Sequence, residues 1–230
     1  MNNHRFVIFG MRRTGSTLLA TLLNSHPQIR CHSELFYEGR WNFIARRPFK
    51  PFAFRYPLLY LNWISVTAFR PVVGFKLMVH QNEEMNNLLY RLTERNWRVI
   101  SIRRRNAIQR VLSEAVLFAT RIPHSYGKSQ QRKETIHIDT EHFRQLLEQD
   151  RRLSEREAAL LAPIPHMDLI YEDDFANPQQ WSQATERVLS FLNLPIIPLN
   201  TSMVKTWEKP YEQFIVNYAE LMEIARVYTA

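Results

Sequence analysis

The sequence has one cysteine, only five glycines, and no uninterrupted apolar run long enough to span a bilayer. The lone Cys31 excludes an intramolecular disulfide framework and any cysteine-based zinc cluster. It suits a reducing compartment and reads as a small buried apolar side chain rather than a reactive thiol. Few glycines, with twelve prolines spread along the chain, exclude collagen-like and low-complexity architectures. The uncharged stretch Tyr56 to Phe69 falls short of the roughly 20 residues a spanning helix needs and carries Asn62, Ser65 and Thr67. The opening MNNHRFVIFG lacks the charged-then-apolar order of a secretory leader. These absences predict a soluble, cytoplasmic protein.

The chain has 230 residues, of which 45% are apolar, which is enough for one sizeable core and rules out wholesale disorder. Thirty Lys and Arg against 22 Asp and Glu leave 30 − 22 = +8. A basic balance attracts anions of any kind, whether nucleic acid, acidic lipid or phosphorylated and sulfated small molecules, and does not choose among them.

Short apolar runs at Arg5 to Phe9, Val72 to Leu77, Arg98 to Ile102 and His166 to Tyr171 read as strands. Helical patterns lie between and after them: Ser16 to Leu23, Glu83 to Arg95, Asn106 to Thr120, Thr140 to Ala162 and Asn177 to Leu192. The alternation predicts an α/β fold, a P-loop-like parallel sheet flanked by helices on both faces. Ligands of open sheets bind beyond the carboxyl ends of the strands. We read residues 1–230 as one domain. Residues 37–71, rich in aromatics, Arg and Pro, and 121–139, polar with scattered charge, read as substrate-covering loops.

The turn after the first strand reads Gly10-Met-Arg-Arg-Thr-Gly-Ser-Thr17. Its spacing is that of a Walker A phosphate loop with Ser16 where the lysine belongs. Glycine lets successive N–H groups face one anion while the helix N-terminus adds partial positive charge. Arg12 and Arg13 add cationic forks; Ser16 and Thr17 add hydroxyl donors. Loss of the lysine disfavours a kinase, and the only candidate acid after a strand lies far along, at Glu172 to Asp174. Those three acids read as capping or solvated groups rather than a metal site.

A second cationic concentration runs Ile102-Arg-Arg-Arg-Asn-Ala-Ile-Gln-Arg-Val-Leu-Ser113. Arg105 at the strand end and Ser113 two turns into the helix would close around one phosphate if the chain bends there, with Arg110 beside them. Taken alone, three consecutive arginines equally suit a solvated face or a nucleic-acid patch.

The two motifs in this order resemble those of sulfotransferases that use 3′-phosphoadenosine 5′-phosphosulfate (PAPS). In that family a basic residue, a small residue, Gly and two hydroxyl residues hold the 5′-phosphosulfate, as Arg13-Thr14-Gly15-Ser16-Thr17 would. An Arg at a strand end and a Ser eight residues later hold the 3′-phosphate, as Arg105-Asn106 and Ser113 would. The loop, the GFKLM strand and the closing Val204-Lys-Thr with Asn217-Tyr218 are most similar to bacterial carbohydrate-type members. The resemblance implies transfer of a sulfuryl group by in-line displacement to a carbohydrate or glycolipid hydroxyl, with adenosine 3′,5′-bisphosphate as product and no metal required.

The resemblance also implies roles for single residues. Lys76 and Arg13 would contact the sulfate or bridging oxygen, and Glu34 would be the general base. The family's strand histidine is replaced here by Met78; His80, two residues on and expected on the same strand face, is the alternative base. Lys205, with Trp207 beside it, falls where the family has a basic C-terminal loop over the nucleotide. Tyr37, Trp41, Trp63, His124 and Tyr126 would line the acceptor pocket, where flat aromatics suit a sugar or an aromatic alcohol alike. Apolar patches there would also suit a homodimer contact or a membrane surface. The rival readings are a sulfotransferase for a small hydroxylated metabolite, a P-loop kinase, and a non-catalytic nucleic-acid binder using Arg103 to Arg105.

Overall fold

The computed structural model describes residues 4–37, 49–81, 83–121, 125–126, 135–204 and 209–229. It comprises two compact units. The first holds residues up to Arg103 together with Glu157–Thr201; the second holds Arg104–Arg156 and Ser202–Ala230.

The first unit is built on a parallel sheet of β1 (His4–Gly10), β2 (Ile29–His32), β3 (Val72–Met78), β4 (Arg98–Arg103) and β6 (His166–Ile170), in the order β2-β3-β1-β4-β6. β1 is central and buried from Phe6 onward, as expected of a strand covered on both faces. Alternation sorts its side chains. Phe6 and Ile8 join Leu19, Leu22 and Leu23 of α1 (Ser16–Asn24) and Val188 and Leu189 of α8 (Pro178–Phe191) in one apolar cluster. Lys76 pairs with Ile8 in the register, so period two puts it on the same face as α1. Phe75 faces the other way, edge-on to Phe36 and Trp97.

Four elements of this unit depart from expectation. β2 was not expected; it has only four residues and begins two residues after Pro27. Residues 50–67 are helical rather than loop: α2 (Lys50–Arg55) and α3 (Pro57–Thr67). Each carries proline in its first two positions, where the missing N–H costs nothing and the fixed φ favours a helix start. After β6 the chain turns into one helical turn, α7 (Tyr171–Asp174). α4 (Glu83–Thr93) follows β3 as expected and buries Leu88, Leu89 and Leu92.

The second unit contains α5 (Ala107–Thr120), the larger part of α6 (Thr140–Leu161), a short antiparallel pair β5 (Ser125–Tyr126) and β7 (Met203–Val204), and α9 (Tyr218–Thr229). Val111, Leu112 and Ala115 of α5 pack with Phe143 and Leu147 of α6 and Leu221 and Ile224 of α9. α9 was not expected. Asn217 ties its start to Ile138, accepting from the Ile138 N–H at 3.1 Å and donating to its carbonyl at 2.8 Å.

Candidate active site

The turn from β1 into α1 holds two residues in the left-handed region. Arg13 has φ 60° and Gly15 has φ 90°, and left-handed residues alternating with right-handed ones turn successive N–H groups toward one side, as in anion-binding nests. Thr14 is fully buried and its hydroxyl donates to the Met11 carbonyl at 3.0 Å. Its side chain therefore braces the loop; Arg12, Arg13 and Thr17 are half-buried at its rim, while Ser16 is itself buried. Gly15 is the N-cap of α1, which has no side-chain cap. A Cβ on Gly15 would lie 2.8 Å from the Tyr171 ring, so the loop is packed against the end of β6.

Lys76 is 3% exposed, yet its ammonium is not stranded. Nζ donates to Thr17 Oγ1 at 2.9 Å and to Glu34 Oε1 at 3.2 Å. A lysine from the neighbouring strand thus reaches the phosphate-loop turn whose own lysine position is taken by Ser16. Glu34 is held at both oxygens, since Gln81 Nε2 donates to Oε2 at 3.1 Å. Gln81 is fixed in turn by the Met78 N–H, 3.3 Å from Oε1.

The placement of Glu34 is built from the sequence outward. Asn24 at the end of α1 exchanges two hydrogen bonds with Cys31, Nδ2 to its carbonyl at 2.7 Å and the Cys31 N–H to Oδ1 at 2.9 Å. β2 is thereby clamped to α1, and Glu34 follows it by two residues. Beyond Glu34, Phe36 is buried edge-on to Phe54, Tyr60 and Phe75 and anchors the segment.

His80 is not on the strand face expected for it. β3 ends at Met78, and Val79 and His80 form a turn. His80 Nε2 lies 3.0 Å from Arg12 Nε and accepts its N–H. Burial, then the Arg12 and Lys76 charges, outweigh Glu34 and bring its pKa down to about 4. The ring nitrogen that would take a proton is already engaged by a cation. Burial likewise pushes the Cys31 thiol up to about 12 against the pull of Lys76 and Arg30, so it is no nucleophile.

Within the second unit, Asn106 is the N-cap of α5, its Oδ1 accepting from the Gln109 N–H at 2.9 Å. That gives the Asn of the Arg-Asn pattern a physical role: it starts the helix that carries Ser113. Arg105 is exposed in the preceding turn and Ser113 is half-buried on α5. Arg110 is committed elsewhere than to the expected phosphate contact. It is buried, forks onto Asp150 at 2.6 and 2.7 Å, and donates to Ser154 at 3.0 Å and the Arg104 carbonyl at 2.8 Å. Those bonds use four of its five N–H donors.

The arginine run does not act as one cationic face: Arg103 pairs with Asp168 at 2.9 Å and Arg104 donates to Gln109 at 2.9 Å. Asp174 accepts from the Ile170 N–H and from Arg187, both at 2.7 Å, which makes it a capping acid. Tyr37 and Trp63 are exposed. Trp41, His124, Lys205, Trp207 and the Tyr126 side chain lie outside the described residues.

Gln81 is the residue of this cluster that the sequence did not suggest. An amide carries no sequence signal of chemistry, and only the turn after β3 brings it to Glu34.

Comparison with known proteins is consistent with this geometry. Residues 5–50, which contain the loop, α1, β2 and Glu34, match the model of the sulfotransferase family. No curated protein matches the sequence. The chain shares its fold with a sulfotransferase from Alicyclobacillus acidocaldarius (14% identity, TM-score 0.51, covering 99% of this chain and 96% of that one). It shares it also with sulfotransferase STF9 from Mycobacterium avium (12% identity, TM-score 0.53, covering 99% and 76%). Mouse sulfotransferase SULT7A1, solved with PAP, aligns at 14% identity and TM-score 0.48 over 99% of this chain, which spans 64% of the mouse protein's length. The fold is that of the sulfotransferases, and the family match lies on the phosphate-loop corner.

Proposed function

We propose that this chain is a cytoplasmic, PAPS-dependent sulfotransferase acting on a hydroxyl of a carbohydrate or glycolipid acceptor. The observation that carries the reading is the Thr17–Lys76–Glu34 chain of contacts at the mouth of the phosphate-loop turn. A proton acceptor and a cation sit there side by side, the cation supplied by a strand rather than by the loop.

The residues present fit such a donor. The left-handed Arg13 and Gly15 shape a cradle of N–H groups suited to a phosphosulfate, and the Arg105–Ser113 pattern assigns those two side chains to the 3′-phosphate. PAPS, when bound, supplies an activated sulfuryl group on a phosphate leaving group. Arg13 and Lys76 place fixed positive charge where negative charge accumulates on leaving, without reorganisation at that moment. Glu34 removes the proton of the acceptor hydroxyl. Lys76 and Gln81 each occupy one lone pair of its carboxylate, leaving others open and the carboxylate oriented. His80, tied to Arg12, positions that guanidinium. Carbohydrate is favoured over a small hydroxylated metabolite by the resemblance of the GFKLM strand and closing segment to carbohydrate-type members.

Calorimetric titration tests the reading. Adenosine 3′,5′-bisphosphate should bind without metal, at least tenfold tighter than ATP, and a screen with labelled PAPS should label a hydroxylated acceptor. ATP preference with magnesium would overturn the proposal in favour of a kinase. Salt-sensitive binding of nucleic acid without nucleotide selectivity would overturn it in favour of a nucleic-acid binder.

A further inference from the structure

The helices α2 and α3 are apolar on both sides. Ala53, Pro57, Tyr60, Leu61 and Ile64 are buried and dock the pair. On the other side Phe49, Phe52, Tyr56, Leu59, Trp63 and Val66, spaced by three and four residues, are all exposed. Phe49 stacks on Trp63 with ring centroids 6.2 Å apart, and Phe52 lies 5.9 Å from Tyr56, so the exposed rings of the two helices form one patch. Val66 is 73% exposed, and Phe69, just beyond the helix, is 91% exposed with φ 51°. A bulky aromatic held in the left-handed region and almost wholly in water is strained and poorly solvated. A patch of this kind marks an interaction surface.

Charge identifies what covers it. From Gly39 to Asn82 the sequence contains no Asp or Glu. Arg55 and Arg70 flank the patch, both exposed, and among the described residues neither pairs with a carboxylate. A second copy docked face to face through a two-fold axis would set these arginines against their own counterparts. An anionic bilayer meets both demands. Trp, Tyr and Phe rings settle at the headgroup boundary, and flanking arginines attract acidic lipid.

We propose that the α2–α3 face is a peripheral docking surface for anionic lipid membranes. No described helix is long and apolar enough to cross a membrane; the face lies on the surface, with Trp63, Val66 and Phe69 dipping into the interface. Docking would hold the chain against the membrane whether or not the proposed sulfuryl transfer is correct.

Vesicle flotation with the full chain tests this. The chain should float with vesicles of phosphatidylcholine and phosphatidylglycerol, much less with phosphatidylcholine alone, and less as salt rises. Val66→Asp with Phe69→Asp should lower binding at least about tenfold, and Arg55→Glu with Arg70→Glu should abolish the preference for acidic lipid. Unchanged melting temperature and adenosine 3′,5′-bisphosphate binding in each variant would show that the chain remains folded. The proposal is overturned if the chain stays off anionic vesicles, or if the aspartates leave flotation unchanged. It is equally overturned if sedimentation shows a dimer that the aspartates dissociate while no vesicle binding occurs, which would make the face a contact between copies.

Discussion

The ammonium of Lys76 lies 3.2 Å from the carboxylate of Glu34, although 42 residues separate them in the chain. Neither is placed by local preference: Lys76 is fixed by the alternation of β3 and Glu34 by the clamp on β2. The contact joins the proposed base to the loop, since the same ammonium also donates to Thr17.

Glu34→Gln should lower turnover roughly a hundredfold or more, the usual contribution of a positioned base, while affinity for adenosine 3′,5′-bisphosphate stays as it was. Lys76→Met should lower turnover as well and also weaken nucleotide binding, because it removes the cation beside Thr17. Steady-state assays and calorimetry on both variants separate the roles. A fully active Glu34→Gln would remove the carboxylate from the mechanism.

Gly15→Ala faces two independent penalties. An L-residue in the left-handed region costs about 1–2 kcal/mol, and the new Cβ would meet Tyr171 at 2.8 Å. The variant should melt several degrees lower, at about 2–4 °C per kcal/mol for a chain of this size, and should bind nucleotide poorly. Adding Tyr171→Ala relieves the collision and leaves the backbone cost. Should Gly15→Ala melt like the parent protein, the strained turn is not what the loop requires.

The parallel sheet was legible because its inner strands β1, β3 and β4 are buried on both faces and read as nearly continuous apolar runs. The phosphate-loop turn was legible because glycine and hydroxyl spacing encode backbone geometry directly. β2 was hidden: in Ile29–His32 the buried Ile29 and Cys31 alternate with Arg30 and His32, and four residues are too few for a period to stand out. α2 and α3 were hidden by Pro51 and Pro57, taken as loop punctuation where each marks a helix start. Arg110 could not have been told from a ligand-binding arginine, because its partner Asp150 comes from another helix.

Arg110 and Asp150 form a nearly buried pair, their side chains 8% and 12% exposed. Asp150→Ala would leave the guanidinium buried without its carboxylate, and should cost about 3–5 kcal/mol. Replacing both partners, with Arg110→Met and Asp150→Leu, should recover much of that loss. Denaturant unfolding of the single and double variants provides the measurement. Equal stability of Asp150→Ala and the parent chain would mean that the pair holds nothing together. A double variant that recovers stability but binds adenosine 3′,5′-bisphosphate poorly would show that Arg110 positions the turn at Arg104.

His80 gives the protein an acid-sensitive step of defined sign. Its usual pKa of 6.5 falls to about 4 in the fold, first through burial and then through Arg12. The unfolded chain therefore takes up a proton near pH 6.5 that the folded chain refuses until about pH 4. Stability should fall as pH drops through that window and be unaffected by this group above it. Between pH 7 and pH 5 the loss from this residue is about 2 kcal/mol. His80→Gln keeps an acceptor for the Arg12 N–H but cannot titrate, so urea unfolding should show its stability declining less over that interval than the parent's. Carboxylates shared by the two proteins cancel in the difference. Parallel declines would show that His80 is protonated as readily in the fold as out of it, and that the Arg12 contact breaks in acid without cost.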